Sequence, residues 1–440
     1  MREEFLYYLW KSGHLFRKDL RTTNGRKIQV IRPGYRNRSE GPDFFSAQLK
    51  IDELTWHGQV EFHIRSSDWN AHGHQNDPRY NNVILHVVME DDKKIFTQKN
   101  SELPTLEIRN HADPAMLKKF VLLEKKKGWI PCDPLAPEKN LDFCWPVYLS
   151  RIGLERMEEK ANRILRKLGD KKGDWDAVTA DLTGRYLIGK ANGKQMDELL
   201  RGLPFNLLLK NSSHLTKLEA LVFGRSGFLK ANCSDSYFLS LRSHFDHLSR
   251  LYGITSMDPA HWKFMPVRPP SFPTIRLAQW CALISRHPRP LSVFLHLKNA
   301  GEVKEKMSTP ASSYWETHYN FGKKSSRKRN PRIGKSTLKN LLINVAAPVV
   351  FAYGLHTGNE KLRERAVHWL ESEEAERNSI VQHWKKRNVK AANAMDSQAL
   401  IQLKTGYCDK SRCLECGFGA RLLSSDQPVG LAEEEWLSYF

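Results

Sequence analysis

GPDFFSAQLKIDELTWHGQVEFHIRSSDWNAHGHQNDPRYNNVILHVV, residues 41–88, sets acids and histidines on a segment that otherwise reads as three β-strands. The run Trp56–Arg65 alternates, so His57, Gln59, Glu61, His63 and Arg65 share one face and Gly58, Val60, Phe62 and Ile64 the other. One face is built to pack; the other carries chemistry. Asp43 follows Pro42 at the mouth of the preceding strand, Phe44–Ile51, and hairpin pairing of the two strands places its carboxylate beside Glu61. Two adjacent carboxylates attract a divalent cation, here Mg²⁺ or Mn²⁺.

Between the second and third strands, His72 and His74 flank Gly73, so the loop turns both imidazoles toward one point, close to His63 and Asp68. Imidazole titrates near neutrality and suits both proton transfer and metal ligation. The alternative is that Asp68 caps a short helix starting at Trp69 and the two histidines decorate the surface. Val83–Val88 is apolar apart from His86, which reads as a core histidine.

The chain has 440 residues, 40% hydrophobic and 27% charged, enough for two or three domains with their own cores. Sixty-nine Lys and Arg against 49 acids give a net charge of +20. That surplus favours a polyanionic partner, DNA or RNA, over a small neutral metabolite. MREEFLYYLW at the start is too short and too acidic for a signal peptide, and no apolar run reaches the ~18 residues of a membrane span, so no membrane partner and a cytoplasmic location are expected.

Seven cysteines argue against a disulfide framework. Cys408, Cys413 and Cys416 form a C-x4-C-x2-C cluster, three ligands of the four that a Zn²⁺ ion or an iron–sulfur cluster needs. Cys132 and Cys144, in the connector PCDPLAPEKNLDFCWP, are the candidates for the fourth.

Strands are expected at Lys27–Ile31, Phe44–Ile51, Trp56–Arg65, Asn82–Met89, Lys94–Thr97 and Thr105–Ile108, with a helix over Asp113–Lys127. After the Pro-rich connector the apolar period lengthens to three and four residues. Leu154, Met157, Ala161, Ile164, Leu165 and Leu168 open a series of helices, including 174–191, 213–225, 234–251, 335–355 and 373–387. The fold class is α+β: an α/β domain with a central mixed sheet (1–128), a connector (129–146) and a mostly helical region (147–440).

Within the helical region, residues 323–335 hold seven basic residues in thirteen and no acid. They read as a mobile loop contacting phosphates through Arg327, Lys328, Arg329 and Arg332. Tyr314, Trp315, Tyr319 and Phe321 precede it and read as core, with base stacking as the alternative. Gly334-Lys335-Ser336-Thr337 has the ending of a phosphate-binding loop, but Arg329 stands where its first glycine belongs, which excludes nucleotide hydrolysis.

Pro42-Asp43 followed by Glu61-Phe62-His63 resembles the PD-(D/E)XK nuclease superfamily. The resemblance implies a helix, three or four strands and a crossover helix, with metal held by Asp43 and Glu61 and a further acid, Glu4, on the first helix. His63 stands where that superfamily has Lys, leaving the general base among His63, His72 and His74. GPDF at 41–44, GQVEFH at 58–63, SDWNAHGH at 67–74, VILHVV at 83–88, EALVFGRSGFL at 219–229, RPPSFPTIRLAQ at 268–279, YWETHYNFG at 314–322 and YCDKSRCLEC at 407–416 resemble the family of domain of unknown function 2851 along nearly the whole chain. That family implies no activity. The resulting expectation is a metal-dependent nuclease. The competing reading is a non-catalytic nucleic-acid or ribosome-associated binding protein with a nuclease-like fold. A metallohydrolase of small substrates is a third, disfavoured by the charge.

Overall fold

The computed structural model describes residues 3–13, 15, 19–37, 39–109, 111–125, 128–133, 145–265 and 267–424. The chain divides into two compact units, Met1–Trp145 together with Leu403–Phe440, and Pro146–Gln402. The helical unit therefore stops at Gln402, and the segment carrying the C-x4-C-x2-C cysteines belongs with the sheet. Cys144 lies outside the described residues.

In the first unit, Glu3–Lys11 forms helix α1, followed by strands β1 (Leu20–Arg21), β2 (Lys27–Arg32), β3 (Tyr35–Arg36), β4 (Phe44–Ile51) and β5 (Leu54–Arg65). A short helix α2 (Asp68–Ala71) then leads through two 3₁₀ turns to β6 (Val83–Glu90), β7 (Thr105–Glu107) and helix α3 (Pro114–Glu124). The sheet runs β1-β2-β4-β5-β6-β7, with β3 also on β4; β5–β6 and β6–β7 are parallel and the other pairs antiparallel. A mixed sheet is thus present. Every residue of Val83–Met89 is buried, as a central strand of a parallel stretch covered on both faces requires.

One face is covered by α1 and α3. Phe62 on β5 meets Tyr7 at 5.3 Å and Trp10 at 5.7 Å between ring centroids, and Phe5 stacks on Phe120 of α3 at 4.5 Å. Asp113 starts α3 by accepting from the Ala115 amide at 2.9 Å, with Pro114 fitting the first turn. The other face is covered by residues 66–82, whose Trp69 and Tyr80 pack with Val83, Ile95 and Leu103. Gly58 lets the strands approach: a Cβ there would lie 2.5 Å from the Asn82 carbonyl oxygen.

The strand expected at Lys94–Thr97 shrinks to one bridge, Phe96 with Glu102, because the chain reverses at Asn100, where φ is +58°. In the second unit the helix expected over 373–387 covers only Ser379–Lys386. Glu374 instead bridges Asn393, and extended Asn378 caps the helix by accepting from the Val381 amide. Helices Gly193–Arg201, Phe205–Lys210 and Ala300–Met307 arise beyond those expected. Lys335–Thr357 is a single run of helix long and apolar enough to cross a membrane by length and composition, which corrects the sequence reading on that point. Its apolar window is 72% buried within the protein.

The basic run is folded against its neighbours. Lys323–Lys324 pairs with His318–Asn320, Lys328 sits 2.7 Å from Glu316, Arg329 lies over the Tyr319 ring at 4.5 Å, and Arg332 donates to the Ser308 carbonyl. Arg327 remains exposed. Trp315 is fully buried and Tyr314, Tyr319 and Phe321 pack partly buried on the core.

Candidate metal centre

Of the five residues on the polar face of β5, only Glu61 and His63 converge; His57 is exposed opposite Gln48, and exposed Arg65 reaches Glu90 at 3.9 Å. Asp43 enters from the start of β4, and its backbone amide donates to Glu61 Oε2 at 2.9 Å. Its own carboxylate accepts from the Tyr7 hydroxyl at 2.8 Å on Oδ1 and from the Phe62 amide at 3.2 Å on Oδ2. Asp43 therefore joins α1, β4 and β5, while Glu61 Oε1 faces the histidines.

Gly73 makes the histidine loop. Its φ of +75°, a conformation that favours glycine, reverses the chain between α2 and the next 3₁₀ turn and brings both flanking imidazoles inward. His63 Nε2 and His72 Nδ1 lie 3.0 Å apart, and Glu61 Oε1 is 3.5 Å from His74 Nε2 and 3.9 Å from His63 Nε2. One ligand atom from each of His63, His72 and His74 falls within 4.8 Å of the others. A tetrahedral ion with bonds of about 2.1 Å separates its ligands by about 3.4 Å, a spacing that the three imidazoles approach, with the Glu61 carboxylate beside His74 and His63.

Second contacts hold the donors in place. His63 Nδ1 meets His86 Nε2 at 2.8 Å, which leaves Nε2 directed at the cluster. His86 is fully buried, as expected of a core residue, and its Nδ1 has no partner. His74 stacks on Tyr80 at 3.8 Å. His72 is exposed, opening the cluster to solvent.

The electrostatics fit a cation. Burial, followed by the neighbouring Asp43 charge, pushes the Glu61 carboxyl well above its ordinary range. Asp43 is also raised by burial, opposed by its bonds from Tyr7 and Phe62 and by Arg36. Burial, then His74 and His72, lowers His63 to about 3, and burial, then His72, lowers His74 to about 4. Neutral imidazoles present lone pairs, and a divalent ion would reverse the penalty on the carboxylates.

Two residues fall differently from the sequence expectation. Asp68 turns away, accepting from the Arg65 amide at 3.0 Å, and so neither joins the histidines nor caps the helix. Glu4 is exposed, and the acid of α1 that faces the site is Glu3, bonded by the Tyr7 hydroxyl at 3.2 Å and within electrostatic reach of Asp43 and His72. Arg36, 4.3 Å over the Tyr7 ring and opposite Phe44 in the β3–β4 register, adds a cation at the rim.

Cys132 lies in the turn after α3, within electrostatic reach of Cys408, Cys413 and Cys416. Arg327, Lys328, Arg329 and Arg332 belong to the helical unit.

A family model described as Protein of unknown function (DUF2851) matches residues 3–379. No curated protein and no solved structure gives a significant match.

Proposed function

Because the chain belongs to the DUF2851 family over most of its length, a family described as being of unknown function, we propose its activity from the site: a divalent-metal-dependent nuclease that hydrolyses phosphodiester bonds in DNA or RNA. The observation that carries this reading is the convergence of His63, His72 and His74 over the interior strand β5, open to solvent at His72, with Glu61 Oε1 3.5 Å from His74 and Asp43 one hydrogen bond from Glu61. Three imidazoles and a carboxylate suit Mn²⁺ or Zn²⁺ better than the oxygen-seeking Mg²⁺. When bound, such an ion supplies Lewis-acid polarisation of a phosphoryl oxygen. His63 is oriented by His86; Asp43, fixed by Tyr7 and the Phe62 amide, holds Glu61 through its own backbone N–H. Arg36 offers a charge-assisted contact to a phosphate oxygen. The net charge of +20 supports a polyanionic substrate.

The test is cleavage of single- and double-stranded DNA and RNA by purified protein with Mn²⁺, Zn²⁺ or Mg²⁺, and after EDTA. Cleavage is expected with Mn²⁺ or Zn²⁺, is removed by EDTA, and is lost in Glu61→Gln and His72→Ala. Undiminished cleavage by both variants would overturn the catalytic assignment. Wild-type protein that binds metal and nucleic acid yet cleaves no substrate would favour the binding-protein reading.

A further inference from the structure

We infer that the helical unit carries a second ligand site, a polar cleft that binds the phosphate ester of a small, hydroxyl-rich molecule. All the residues that line it lie within Pro146–Gln402. It shares none of them with the histidine cluster and does not rest on the nuclease reading.

The cleft has a volume of about 1180 Å³, the scale of a small-molecule site. Three stretches wall it: the end of the helix Ala300–Met307, the segment 330–340 and the segment 373–378. Each is fixed by contacts outside the cleft. Pro310 bridges Arg332, the Pro331 carbonyl accepts from Gln279 Nε2 at 3.2 Å, and Ile333 is buried. Across the cleft, the Glu373 carbonyl accepts from the Ala394 amide at 2.8 Å, and the Ala375 carbonyl accepts from Lys339 Nζ at 3.1 Å. The walls are therefore packed parts of the unit.

The charges that line the cleft do not cancel. Lys304 Nζ lies 2.6 Å from Glu373, and Lys339 Nζ lies 3.8 Å from Glu373 and 3.6 Å from Glu374. Glu376 accepts from Gln398 Nε2, and Gln398 Oε1 accepts from Arg156 Nε at 2.7 Å, so a cation answers it from behind the cleft. Among the described residues, Arg332, Lys335 and Arg377 are left without an ion-pair partner, against Glu305 alone on the acidic side. Arg332 donates one N–H to the Ser308 carbonyl, which holds its guanidinium at the wall. A surplus of two positive charges matches a phosphate monoester, which carries nearly two negative charges at neutral pH.

The remaining polar lining selects the rest of the ligand. Ser308, Ser336, Asn330, Asn340 and Asn378 bring hydroxyl and carboxamide groups, which both donate and accept, as the hydroxyls of a sugar do. Asn330 Oδ1 accepts from the Arg332 amide at 3.0 Å and Asn378 Oδ1 from the Val381 amide at 3.0 Å, an arrangement that orients each side chain and keeps Nδ2 for donation. No aromatic side chain lines the cleft, so it offers no stacking platform for a nucleobase. Lys335 and Ser336, from the run that resembles the end of a phosphate-binding loop, thus serve binding without nucleotide hydrolysis.

The experiment is titration calorimetry at pH 7.5 on the full chain in EDTA, which keeps metal at the histidines from capturing the phosphate. The probes are ribose 5-phosphate, ribose, inorganic phosphate and a single-stranded oligodeoxynucleotide. One ribose 5-phosphate should bind per chain, more tightly than inorganic phosphate, and ribose should not bind. Lys335→Gln and Arg377→Gln should each weaken ribose 5-phosphate about 10-fold or more, the usual effect of a lost charge-assisted hydrogen bond. Asn340→Ala should weaken ribose 5-phosphate and leave inorganic phosphate unchanged. Lys335, Asn340 and Arg377 are exposed, so the variants should melt with the wild type; Arg286→Gln, an exposed cation outside this cleft, should bind as the wild type does. No saturable binding of ribose 5-phosphate at millimolar concentration, equal affinity for it and inorganic phosphate, or affinity indifferent to Lys335→Gln and Arg377→Gln would each overturn the proposal. Binding of the oligonucleotide alone, weakened by those two variants, would overturn it in favour of a nucleic-acid backbone in the cleft.

Discussion

Replacing Glu219 by Gln should stabilise the helical unit, relative to wild type, more at pH 8 than at pH 4. Glu219 sits on the helix Leu215–Arg225, 1% exposed, and accepts from the Ser312 hydroxyl at 2.8 Å and the Tyr237 hydroxyl at 2.9 Å. Burial raises its pKa from 4.5 to about 7, against the opposing pull of those two bonds. Below pH 4.5 both folded and unfolded chains hold the proton, and the group adds no pH-dependent penalty. Between 4.5 and about 7 the unfolded chain releases the proton while the folded one keeps it, so stability falls as pH rises; above about 7 the loss is complete. A rise of this size corresponds to about 3 kcal/mol. Comparing variant with wild type at both pH values cancels every other titrating group and any fixed effect of the amide. Hydrogen exchange at amides of the helix Leu215–Arg225, corrected for intrinsic rates, isolates unfolding of this unit. A variant-minus-wild-type difference that is the same at pH 4 and pH 8 would refute the reasoning.

Two further outcomes follow from other parts of the molecule. His86→Leu should leave the fold intact, because His86 is fully buried with an unpartnered Nδ1, yet weaken Mn²⁺ or Zn²⁺ binding about 10- to 100-fold by releasing His63; unchanged affinity by titration calorimetry would remove His86 from the site. If the basic run binds phosphate, Arg327→Ser with Lys328→Ser should flatten the dependence of log affinity on log salt by roughly 0.7–0.9 for each phosphate no longer neutralised, without base preference. Arg329→Ser should in addition cost about 0.5–1 kcal/mol of stability, because the guanidinium no longer covers the Tyr319 ring; a salt slope unchanged in the double variant marks the run as solvated.

The sheet strands that frame the site were legible because one period, two residues, dictates both pairing and burial. Phe44–Ile51 matches its expected bounds, and the Pro42-Asp43 corner sits beside Glu61 because the antiparallel register of β4 on β5 puts it there. The histidine loop was legible through Gly73, the residue free to take the positive φ that turns both rings inward. Glu3 was not, because choosing between Glu3 and Glu4 needs the rotational phase of α1, which is set by Phe5 and Trp10 packing on α3 and β5. Nor was the anchoring of the basic run, since Glu316 and Tyr319 draw it in through tertiary contacts that its own composition does not encode. Helices such as Gly193–Arg201 begin with a residue that local propensity disfavours and form through burial of Met196, Leu199 and Leu200.

The sheet unit is made from two stretches of chain, and the whole of Pro146–Gln402 is synthesised between them. At the usual ~5–20 residues per second, the histidine-bearing sheet waits on the order of tens of seconds for Leu403–Ser424 to arrive. If the helical unit folds during that wait, it shortens the effective tether. The entropic cost of joining the two stretches is then set by two fixed ends rather than by a long flexible loop. Completion of the sheet unit therefore follows synthesis of the whole intervening helical unit.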